Sequence, residues 1–100
     1  MIKHLVLWKL KETAEGYDKA ENALRIKAEL EALRGKIAEI RALEVGLNFN
    51  DSAAAYDVAL YSEFESREAL DIYQKHPEHV RVAALVNQLR EERVVADYEV

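Results

Sequence analysis

The chain contains no cysteine, which excludes disulfide bonds, thiolate zinc sites and a cysteine nucleophile, and fits a reducing compartment. One proline and three glycines are spread over 100 residues, and no low-complexity segment, linker or short-period repeat interrupts them. Basic charge is in deficit. With 14 Lys and Arg against 19 Asp and Glu, the net charge of −5 disfavours attraction to nucleic acid or to an anionic membrane. Long apolar runs are missing too: MIKHLVLWKLK is interrupted by Lys3, His4 and Lys9, and no small-residue cleavage site follows it. The expectation is a mature cytoplasmic chain whose partner is another protein or a small molecule.

What is present is the balance of a folded globular protein, half hydrophobic and one third charged, in a length suited to one domain spanning residues 1–100. Residues 2–10 alternate, with Ile2, His4, Val6, Trp8 and Leu10 on one face of a strand and Lys3, Leu5, Leu7 and Lys9 on the other. Lys11 to Gly16 reads as a polar connection. Ala23, Ile26, Leu30 and Leu33 then form the stripe of an amphipathic helix ended by Gly35.

Period two returns from Ile37 to Phe49 and again from Tyr56 to Phe64, and Asn50, Asp51 and Ser52 between them predict a hairpin. Ser66 is placed to cap a helix carrying Ala69, Leu70 and Tyr73. Pro77 must break that helix at His76 and open a new one running to about Arg93, with Val94 to Val100 as the last strand. The order βαββαβ predicts an α+β, ferredoxin-like domain: a four-stranded antiparallel sheet with its helices on one face. The other face also carries apolar side chains, which a monomer would leave in water. Two copies packed sheet to sheet would close a homodimeric α/β barrel.

The segments MIKHLVLWKLK, EVGLNFN, YDVALYSEF, ALDIYQKHPEHV and RVVADYEV, in that order, resemble the stress-responsive A/B barrel (Dabb) family over nearly the whole chain. The resemblance implies a dimeric α+β barrel. It also implies a choice of activities, because the family includes plant stress proteins, uncharacterised bacterial proteins and a polyketide cyclase that closes a ring by intramolecular aldol condensation. Cyclase-type members use a tyrosine and a histidine in a YxxHPxH segment, and these correspond to Tyr73 and His79. The first-strand histidine corresponds to His4 and the aspartate of the final DY pair to Asp97. Gln74 and Lys75 depart from the cyclase pattern by making that stretch more polar, which argues against a long alkyl substrate.

Chemically, His79 in the first turn after Pro77 is expected to stay neutral beside the positive helix end and to act as a base. Asp97 would orient it and Tyr73 would donate to a carbonyl oxygen, giving a site for proton abstraction that needs no cofactor. His4, Trp8 and His76 are assigned to ligand contact. Each residue also has a structural reading: His76 as a helix-break residue, His79 as a cap, Tyr73 as core, His4 as a satisfied barrel histidine, and Asp97 as the partner of a basic group. A metal site is not assigned, because HPEH lacks the spacing and the glutamate of HExxH. A cyclase- or isomerase-like enzyme, a non-catalytic stress-related or metabolite-binding dimer, and a flavin-free oxidase of quinol-like compounds all remain open at this point.

Overall fold

The computed structural model describes residues 1–100. The first strand, β1 (Ile2–Leu10), keeps the alternation read from the sequence, with its even-numbered side chains buried and its odd-numbered ones half-buried. The polar connection that follows folds into a miniature hairpin, β2 (Thr13–Ala14) and β3 (Tyr17–Asp18). Glu15 and Gly16 both take positive φ at its tip, as a two-residue hairpin turn demands. Two-residue strands are too short to leave a periodic signal.

Helix α1 (Lys19–Glu31) starts at a reciprocal cap: Asp18 accepts from the Glu21 amide at 2.8 Å, and the Asp18 amide donates to the Glu21 carboxylate. Its stripe of Ala23, Ile26 and Leu30 faces the core, and a 3-10 turn over Ala32–Gly35 carries Leu33 inward as well. The next strand, β4 (Ala42–Leu47), is shorter than the 37–49 expected. Ile37 continues the helical exit instead, its amide bonded to the Leu33 carbonyl at 3.0 Å, and buries its side chain in the core. At the other end Asn48 draws the chain into a loop, its amide nitrogen bonded to the Tyr56 carbonyl and its side-chain oxygen accepting from Asn50. Phe49 is left fully exposed.

Strand β5 (Val58–Phe64) pairs with β4 and β1, so the expected hairpin forms. Ser66 caps α2 (Arg67–Lys75) by accepting from the Ala69 amide. His76, in extended conformation, ends α2 and caps α3 (Pro77–Leu89), which places the break where Pro77 requires it. The last strand, β6 (Arg90–Glu99), begins four residues earlier than expected. The reason is a partner: β1 offers a free edge along its whole length, and Arg93 pairs with Trp8 and Arg90 with Leu10.

The sheet order β4-β5-β1-β6, antiparallel throughout, is the ferredoxin-like topology, with the three helices on one face. The core lies between that face and the helices, where Trp8, Leu10, Phe64, Tyr73, Val82 and Leu89 meet. On the opposite face the register lines up Leu5 with Tyr61 and Ala96, and Leu7 with Ala59 and Val94. Nothing within the chain covers this apolar strip. No helix is long and apolar enough to cross a membrane.

Candidate functional site

A cavity of about 60 Å³ lies between the helical layer and the sheet, close to the β1–β6 pair. Four strands or helices besides β1 and the final strand contribute to its lining. Alternation along β1 points His4, Val6 and Trp8 inward, and β5 adds Leu60. Leu30 comes from α1, Tyr73 from α2, and His79, Ala83, Val86 and Asn87 from successive turns of α3. The β6 register sets Arg93 opposite Trp8 and so brings it to the same wall.

Tyr73 is wholly buried, and its hydroxyl has no hydrogen-bond partner. Burial pushes this phenol up to about 12, with the Arg93 guanidinium pulling the other way. Its ring stands 4.5 Å from that of His79 and 6.2 Å from that of His4, centroid to centroid. His79 donates from Nδ1 to the Gln74 carbonyl at 3.0 Å, so in the neutral ring the lone pair sits on Nε2. The His79 pKa is lowered, mainly by burial and further by the neighbouring His4, Arg93 and His76, while the Gln74 carbonyl opposes the shift. Desolvation thus does what the helix terminus was expected to do.

Asp97 is not the neighbour of His79. It lies directly opposite His4 in the β1–β6 ladder, and its carboxylate accepts from His4 Nδ1. The expected Asp97–His79 pairing is therefore corrected: two histidines at one cavity each have Nδ1 held by an oxygen, one from a carboxylate and one from a backbone carbonyl. His4 is buried, and Ser62 fixes its backbone by donating to the His4 carbonyl at 3.1 Å.

Of the residues assigned to ligand contact, Trp8 and His4 line the cavity and His76 does not. Its Nδ1 accepts from the Glu78 amide at 3.1 Å, so it serves as the cap of α3. The three histidines accordingly do not converge, and no group of three or more His, Cys, Asp or Glu is arranged to hold a metal ion. Sequence reasoning missed Arg93 and Asn87. A strand starting at Arg90 would have revealed Arg93, because it shares the inward parity of Val95 and Asp97.

A ferredoxin-like sheet, helix-covered on one side and bare on the other, with a histidine-lined cavity under the helices, defines the class of protein. The chain belongs to the stress responsive A/B barrel domain family, Dabb, whose family model matches residues 2–100. It is 37% identical to an uncharacterised protein of Streptomyces coelicolor, over 99% of both chains. Among solved structures it is similar to a dimeric protein of unknown function and ferredoxin-like fold from Bacteroides fragilis: 38% identity, TM-score 0.82, coverage 99% of this chain and 95% of that one. A dimeric ferredoxin-like protein from Thermobifida fusca shares the fold at 21% identity and TM-score 0.85, covering 99% and 90% of the two chains.

Proposed function

We propose that this Dabb protein works as a homodimer closed through its bare sheet face, and that its cavity binds a small carbonyl compound and moves a proton beside the carbonyl. The dimer reading is supported by the apolar strip around Leu5, Leu7, Val94 and Ala96 and by the dimeric state of the structural relatives. The single observation that carries the chemistry is the Tyr73 hydroxyl, buried without a partner in the wall that it shares with His79. An orphaned buried hydroxyl costs about 1–3 kcal/mol, a cost that a ligand oxygen would remove.

His79 is the base in this reading. Its neutral Nε2 takes a proton from the carbon next to the carbonyl, and the C–H electron pair moves into an enolate whose oxygen accepts a hydrogen bond from Tyr73. With its pKa at about 12 the phenol keeps its proton and acts as a donor. The imidazolium then returns its proton to another atom of the same molecule, or the enolate carbon first closes on a second carbonyl within it. Isomerisation and aldol cyclisation both follow without oxidant or reductant.

The test is proton exchange of pentan-2-one in D2O, followed by NMR. The proposal expects protein-dependent loss of the signals beside the carbonyl, abolished in His79→Ala. Binding that moves the His79 resonances without exchange would instead make the protein a metabolite binder, and no binding at all would remove the site reading.

A further inference from the structure

Among the 11 residues that line the cavity there is no carboxylate, although the chain carries 19 acidic side chains. One lining residue bears a permanent charge, Arg93, and its guanidinium takes part in no ion pair or hydrogen bond, whereas Arg41, Arg67 and Arg81 each engage a glutamate. Arg93 is close enough to act on both Tyr73 and His79, since its charge pulls the pKa of each downward. It is solvent-exposed on β6 and so stands at the mouth rather than the floor.

Asn87 lines the same cavity from α3. Its side-chain oxygen accepts from Arg90 Nε at 2.9 Å, which turns its NH2 group away from that contact and leaves both N–H donors without a partner. The mouth thus offers unpaired donors from two residues, while the interior offers the Tyr73 hydroxyl and the two imidazoles. A planar guanidinium fork beside an amide matches the two oxygens of a carboxylate.

We infer that Arg93 and Asn87 recognise a carboxylate, and that the ligand of this cavity is a short oxo acid: its acid group lies at the mouth and its carbonyl reaches Tyr73. This rests on the proposed reading of the site and adds the substrate class to it. In a protein of net charge −5, a mouth that carries Arg93 and no carboxylate also sorts incoming molecules, favouring small anions.

The experiment compares two five-carbon ketones, 4-oxopentanoate and pentan-2-one, by NMR titration of the full chain at low salt, read at His79 and Tyr73. The acid should bind about tenfold or more tightly than the neutral ketone, the scale of one charge-assisted hydrogen bond. Arg93→Gln should bring the two affinities level, Arg93→Lys should keep part of the preference, and added salt should weaken it. Equal affinities in the wild type, or a preference that survives Arg93→Gln, would overturn the inference while leaving the site reading intact. Inorganic phosphate displacing 4-oxopentanoate at equal concentration would overturn the carboxylate assignment. If neither ketone moves His79 or Tyr73, the site reading and this inference fall together.

Discussion

His4 and Asp97, 93 positions apart in the chain, face each other across the β1–β6 ladder, where the carboxylate of the half-exposed residue accepts a hydrogen bond from Nδ1 of the buried one. The pair ties the last strand to the first at the wall of the cavity. A double-mutant cycle of His4→Ala and Asp97→Ala, measured by urea denaturation, should give a coupling of about 0.5–3 kcal/mol, the range for residues in direct contact. The cycle of Asp97→Ala with His79→Ala should give almost none, because His79 bonds to the Gln74 carbonyl.

Tyr73 offers a variant in which stability and function should move in opposite directions. Tyr73→Phe keeps the ring packed between Phe64 and His79 and removes the unpartnered hydroxyl, so the protein should gain about 1 kcal/mol against urea. Binding and proton exchange of ketones should be lost in the same variant. A loss of stability instead would mean that the hydroxyl has a partner in solution.

The lowered pKa of His79 fixes the sign of its effect on stability. Its folded value lies below the ordinary 6.5, so the contribution is complete above about pH 6.5 and is lost as pH falls from there through the folded value. In that window the unfolded chain binds the proton and the folded one does not. The slope contributed there is at most about 1.4 kcal/mol per pH unit. His79→Gln should remove that part of the pH profile below about pH 6.5, and NMR titration of the wild type should show a midpoint below that of a free histidine.

The bare sheet face predicts an assembly that Leu5 should control. Leu5 faces outward between Tyr61 and Ala96, so Leu5→Lys would set an unpaired charge in the middle of the apolar strip. Light scattering should give a dimer mass for the wild type and a monomer mass for the variant. The melting temperature of the wild type should rise with protein concentration, and that of the variant should not.

Most of the fold is legible in local signals. The alternation of β1, the stripe of α1, the Ser66 cap and the break at Pro77 depend on neighbours within a few residues, and each is found where the sequence puts it. Two-faced apolar character in β1 likewise pointed to a sheet with a helical layer on one side and a partner surface on the other. The family membership was readable in the same way, from segments in a characteristic order. Long-range pairing decided the rest. That Asp97 meets His4 rather than His79 follows from the antiparallel register of β6 on β1, to which no periodicity inside residues 90–99 refers. The early start of β6, which turns Arg93 from a helix end into a cavity residue, follows from the hydrogen-bonding edge that β1 presents. Ile37 left its expected strand because its amide bonds back to the Leu33 carbonyl while its side chain joins the buried core. Local sequence chose these elements; the site arises where residues from five of the six large elements and the final strand converge, and only the packed structure determines which donors there find partners and which are left for a ligand.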